Sequence, residues 1–137
     1  VVEEQIGVSK DFNSFELRDA IVNRDVYKAN LIIKYFDSNP KAGSLFSILP
    51  LLFNYFQNLM LAYYAPDKSE QGVANMLGLK TTWQAKDYIA AMRKYTGVKT
   101  MQIVGEIRYA DAKSKGVKNS SMTDGDILRE LVFNILH

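Results

Sequence analysis

The sequence predicts an all-α fold, a compact bundle of six or seven helices, and three observations carry that prediction. Apolar residues recur at three- and four-residue steps through most of the chain, the period of a helix rather than a strand. Eight Gly and three Pro punctuate 137 residues, too few for a β-sandwich, which needs a turn about every 8–12 residues. Apolar residues make up 47%, with seven Phe, eight Tyr and one Trp. That supplies one ordinary core and excludes a disordered chain.

Residues 1–12 are expected to be the end of a preceding segment or linker, with a stub helix at 1–6 stopped by Gly7. Residues 13–137 are expected to form the helical domain. Asn13-Ser14-Phe15-Glu16 is a capping-box variant that opens a short helix carrying Phe15, Leu17, Ala20 and Ile21. Asp25 caps the next helix, striped by Ala29, Ile32, Ile33 and Phe36 and closed by Asn39-Pro40-Lys41. A long central helix follows over about 44–64, with Leu45, Leu49, Leu52, Phe53, Phe56, Met60 and Tyr63 on its inner side. Pro50 either kinks it or marks its true first turn. After the turn Ala65-Pro66-Asp67, a short helix spans about 70–77 and ends at Gly78, a residue suited to a left-handed position. Thr81 and Gln84 have capping-box spacing before a helix with Ala85, Tyr88, Ile89 and Met92 inward. Beyond Gly97 a helix runs to about residue 114 on Ile103, Val104, Ile107 and Ala110, followed by Gly116 and a polar loop at 117–122. Thr123 caps the last helix, with Ile127, Leu128, Leu131, Val132 and Ile135 on one face.

Few function classes survive the composition. Net charge is +2, so no strong polyanion binding is implied, and without cysteine there is no thiolate chemistry and no disulfide. The N-terminal residues lack a basic stretch of signal-peptide type, and the first methionine is Met60. The chain is therefore expected to begin partway through a longer product; a cytoplasmic location is the expectation, compatible with the absence of cysteine. Residues 42–66 carry no charge and are long enough to span a bilayer. Asn54, Gln57, Asn58 and Pro50 within them argue for a soluble core helix, because side-chain amides are costly in hydrocarbon. The three amides share one face, free to meet water or a partner.

No catalytic device is evident, and none is expected: no catalytic residue, cofactor, metal or small-molecule substrate. The single histidine is the terminal His137, a poor place for a general base. Asp124-Gly125-Asp126 lacks the spacing of a calcium loop and is explained as a helix start, where carboxylates favour the positive end of the dipole. Glu106 and Asp111 have the spacing of a solvated helix face, and no phosphate-cradling glycine loop occurs. Two features have an outline suited to nucleic acid, although ordinary helix packing and a solvated surface account for them as well or better. Residues 69–96 have the outline of a helix-turn-helix, whose second helix offers Gln84, Lys86, Arg93 and Lys94. Between Arg93 and Lys118, seven basic residues face two acidic ones, a net +5 that leaves −3 for the remainder.

Several stretches, taken together and in order, resemble the C-terminal domain of the bacterial DNA polymerase III delta subunit, a clamp-loader family. Asn13 to Ile21 is similar to that family's "feL.dAi" helix, and Lys28 to Phe36 with Asn39-Pro40-Lys41 to its "kA..ii.yf..npk" helix. Leu52 to Leu59 resembles "lf.ff.nl". Leu77-Gly78-Leu79, Trp83, Ala85 to Tyr88 and Arg93-Lys94-Tyr95 resemble "lgl…w.akdy..a.r.y". Ile107 to Gly116 is similar to "ir..D.ksKG", and Leu128 to His137 to the closing "LkeLif.ilh" helix. The version here is most similar to Bacteroidetes-type delta subunits.

The resemblance implies a helical collar domain that assembles with the other loader subunits, tau/gamma and delta prime, to load the sliding clamp in DNA replication. It implies contact with DNA that is at most indirect or weak, and no contact with membrane. The clamp-opening contact and the AAA+ fold lie in the family's N-terminal part, so neither is expected of these residues. Candidate interface residues are Tyr55 and Tyr64 beside the amide face, Tyr95 and Tyr109, with Asp111, Lys113 and Lys115 as rim contacts. The alternative is a helix-turn-helix DNA-binding domain at 69–96.

Overall fold

The computed structural model describes residues 11–116 and 121–137, and these form seven α-helices and no strand. The stub helix expected at 1–6 lies outside the described residues, as does most of the loop expected at 117–122. In chain order the helices are α1 (Ser14–Val22), α2 (Val26–Ser38), α3 (Leu45–Tyr63), α4 (Glu70–Leu77), α5 (Thr82–Met92), α6 (Gly97–Ser114) and α7 (Asp124–Leu136). A 3-10 turn, Pro40–Ala42, precedes α3.

Side-chain caps set most helix starts. Asn13, Asp25, Ser44, Ser69, Thr96 and Thr123 each accept a hydrogen bond from the backbone N–H three residues on, a device worth about 1 kcal/mol per helix. Thr81 takes the extended N-cap backbone of α5 without any side-chain cap bond, so the capping box expected there does not form. Pro50 lies inside α3, five residues past its first. Lacking an N–H, it leaves the Phe46 carbonyl without its usual intrahelical donor. Phe46 and Pro50 are both exposed, on the side where water can serve that carbonyl. Gly78 ends α4 in the left-handed region at φ +68°, as its type predicts.

Helix α3 is the axle. Leu45, Ile48, Leu49, Leu52, Phe56 and Leu59 bury into a core shared with α1, α2, α6 and α7. Helices α3 and α6 run antiparallel: Tyr63 lies by Gly97 at one end, and Leu49, Pro50 and Phe53 lie by Ile107, Arg108 and Asp111 at the other. Helices α6 and α7 are also antiparallel, joined by Lys99 Nζ to Asn134 O at 2.8 Å and by the Lys113–Glu130 ion pair. The α4–α5 hairpin packs on the C-terminal half of α3 through a smaller core of Ala62, Ala65, Val73, Ala74 and Ala85. Tyr88 and Met92 touch both cores.

Arg24 ties three helix ends together. Its backbone is left-handed at φ 53°, a conformation that costs a non-glycine residue roughly 1–2 kcal/mol. From there its guanidinium lies 5.0 Å from the Tyr95 ring centroid and donates to Lys94 O at 2.9 Å and Leu136 O at 2.8 Å. These carbonyls sit just past α5 and at the end of α7, where a cation offsets the negative dipole end.

Candidate interaction surface

Among the described residues, the segment Pro40–Tyr63 is long and apolar enough to cross a membrane by length and composition. It is the core helix of this bundle, with seven of its residues buried against neighbouring helices. Its outward side carries Phe46, Pro50, Asn54, Gln57 and, at the C-cap, Tyr64, all exposed and none charged. Phe46 stands out at 88% exposure. Beside this stripe a groove of about 290 Å³ opens between α3 and α6, lined by Leu49, Pro50, Phe53, Ile107, Arg108 and Asp111. The Arg108 guanidinium lies over the half-buried Phe53 ring, 5.6 Å from its centroid.

The three amides of α3 do not share one environment. Asn54 and Gln57 face solvent, while Asn58 turns inward and donates to Tyr88 Oη at 3.2 Å. Tyr55 points the same way as Asn58. Its ring stacks on Tyr88 with centroids 5.0 Å apart, and its hydroxyl is shut off from solvent with no hydrogen-bond partner among the described residues. Burial pushes that phenol well above its ordinary pKa. Tyr55 lines a second cleft, about 490 Å³, between α1 and α5, together with Arg18, Asp19, Gln84, Asp87 and Lys94.

The expectation that Tyr95 is a surface contact is corrected by its burial. It is 0% exposed, edge-on to Phe56 at 5.4 Å, and its hydroxyl donates to Ile21 O at 2.5 Å. Nothing in the local sequence marks the inward turn of the chain after α5 that carries this ring into the core. Burial pushes its phenol up to about 12. Tyr109 is partly exposed, with Lys113 Nζ 4.3 Å from its ring centroid. Lys113 is only 11% exposed and is held by Glu130, whose hydrogen bond is the main cause of its raised pKa. Asp111 and Lys115 pair with each other at 3.0 Å across one helical turn. These three residues are thus largely occupied within the chain.

Of the proposed recognition-helix residues, Gln84 and Lys94 line the α1/α5 cleft, and Lys94 Nζ donates to Asn23 O at 3.3 Å. Four other members of the basic excess beyond residue 92 have contacts within the chain: Lys99 with Asn134 O, Arg108 with the Phe53 ring, Lys113 with Glu130, Lys115 with Asp111. Arg93 is exposed, and Lys118 lies outside the described residues. His137 packs on Phe133, with ring centroids 4.6 Å apart. Composition and periodicity passed over the most exposed aromatics, Phe46, Tyr27 and Trp83. The signal was present for Phe46, which falls off the buried 45-49-52-56 register of α3.

No protein-family model matches the sequence, and no curated protein matches it. Among solved structures, the chain is similar to the DNA clamp loader delta protein (YqeN) of Bacillus subtilis, with a TM-score of 0.68 at 20% sequence identity. The similarity covers 90% of this chain and 35% of that protein, so the chain spans about a third of the length of the structure it matches. The seven-helix bundle is therefore a clamp-loader delta-like fold.

Proposed function

We propose that this chain is the C-terminal collar domain of a Bacteroidetes-like DNA polymerase III delta subunit, which joins the tau/gamma and delta-prime subunits in the cytoplasmic clamp loader. The collar itself is residues 13–137, with 1–12 leading in from the preceding part. The observation that carries the proposal is the fold similarity to a delta protein over 90% of the chain. The ordered sequence resemblance to the same family supports it. The charge-free outer stripe of α3 adds a physical reason, since apolar surface left over by one core is what an assembly domain needs. The domain is non-catalytic and takes no small-molecule substrate. Its task is to hold a ring together.

Co-purification of this chain with tau/gamma and delta prime of the same organism tests the proposal. Association that survives moderate salt is the expected result. Failure to bind either subunit overturns it. Duplex DNA bound tightly with a steep salt slope would instead favour a helix-turn-helix function for α4 and α5.

A further inference from the structure

The groove between α3 and α6 has one side without charge and one cation at its edge. Helix α3 contributes no charged residue over its whole length. On the α6 side, Asp111 is taken up by Lys115, whereas among the described residues Arg108 has no carboxylate partner, only the Phe53 ring beneath it. A guanidinium on an aromatic face keeps its in-plane donors free for a bidentate carboxylate. The groove between them has room for an apolar side chain against Pro50, Phe53 and Ile107. The exposed stripe continues past the groove to Phe46, one turn before Pro50, and the other way to Gln57 and Tyr64. Along α3 that is roughly 27 Å at 1.5 Å per residue, a length matched by another helix and not by a loop tip.

We propose that this seam receives an amphipathic helix of a partner protein, which sets an apolar side chain into the groove and a flanking Asp or Glu onto Arg108. The occupant is not a second copy of this chain, because the matching stripe of another α3 brings no carboxylate to Arg108. It is not a phosphate backbone, because the floor is apolar and offers a single cation. The proposal rests on the assembly function above and names the partner chemistry that the site accepts.

The test is a binding titration of this chain against purified tau/gamma and delta prime. Phe46→Asp and Arg108→Glu are each expected to weaken the complex about tenfold or more, and Arg108→Lys less. Raised salt should erode the Arg108 share first. Tyr27→Asp, an exposed aromatic on α2, should leave affinity within about twofold. All three positions are exposed, so melting temperatures near wild type will show that the four variants fold. Binding by the wild type that neither Phe46→Asp nor Arg108→Glu weakens overturns this inference and leaves the assembly function standing. Binding to neither subunit removes both. A dimer of this chain in sedimentation that Phe46→Asp dissolves would replace the partner helix with a second copy and overturn the proposal.

Discussion

Tyr95 and Tyr55 bring two phenolic hydroxyls into the interior, and only the first finds an acceptor. Tyr95 Oη donates to Ile21 O at 2.5 Å, whereas Tyr55 Oη is buried without a partner. The same substitution should therefore act in opposite directions. Tyr95→Phe removes a made hydrogen bond and should lower stability by about 1 kcal/mol. Tyr55→Phe removes a hydroxyl that paid desolvation for nothing and should raise stability by roughly 1 kcal/mol or more. Urea midpoints of the two variants against wild type check both. The raised phenol pKa values add an alkaline signature. An unfolded tyrosine ionises near pH 10, while folded Tyr95 holds its proton to about 12. Its contribution is intact below pH 10 and is lost as pH rises from there toward 12. Wild type should accordingly have a lower urea midpoint at pH 11 than at pH 9, and Tyr95→Phe should show a smaller drop. Arg24→Ala should destabilise despite its strained backbone, because two carbonyls and the Tyr95 ring lose a cation at once. Arg24→Gly should recover part of that loss by relieving the backbone.

At the scale of helices, the caps make individual starts fragile in predictable amounts. Asn13→Ala should cost about 1 kcal/mol, read as a shift in thermal midpoint. Gly72, in the first turn of α4, is there for space rather than conformation, because a Cβ would collide with the backbone carbonyl of Asp67. Gly72→Ala should cost roughly 1–3 kcal/mol and loosen the α4–α5 hairpin before the main bundle. Hydrogen exchange confined to residues 66–92 would show it. The N-terminus of α7 has an acid limit. Arg129 and Thr123 hold Asp126 below the ordinary carboxylate range, so its contribution is present above about pH 4 and lost as pH falls further. Most of this layer was legible in the sequence. The positions of Leu17, Ile32, Leu52 and Ile127 on a 3.6-residue period marked the buried faces, and Asn13, Asp25, Gly78 and Thr123 marked the ends. The Ser69 and Thr96 caps carried less signal, because no Glu, Gln or Asp follows them three residues later as Glu16 follows Asn13 and Asp126 follows Thr123. At Thr81 the box spacing was present without the bond, since spacing does not fix where a side chain points.

For the molecule as a whole, the sequence shows that there is one bundle but not which surface is left over, because leftover surface depends on how seven helices are arranged in space. Tyr95 looked like surface and is core, while Phe46 sits on the most apolar helix and is almost bare. A molecule with Phe15, Tyr27, Phe46, Trp83 and Phe133 all exposed should gain solubility when a partner covers them. The proposed assembly function predicts that co-expression with tau/gamma and delta prime raises its soluble yield over expression alone. The closing helix has a further consequence. Arg24 reaches across 112 residues to Leu136 O, and α7 supplies buried side chains to a core that α1, α2, α3 and α6 otherwise leave open. During synthesis α1 to α6 leave the ribosome before α7 can close that wall, so an apolar trough stays open until α7 emerges. Nascent chains stalled with α7 still inside the exit tunnel should therefore recruit chaperones, and chains stalled with α7 fully released should not.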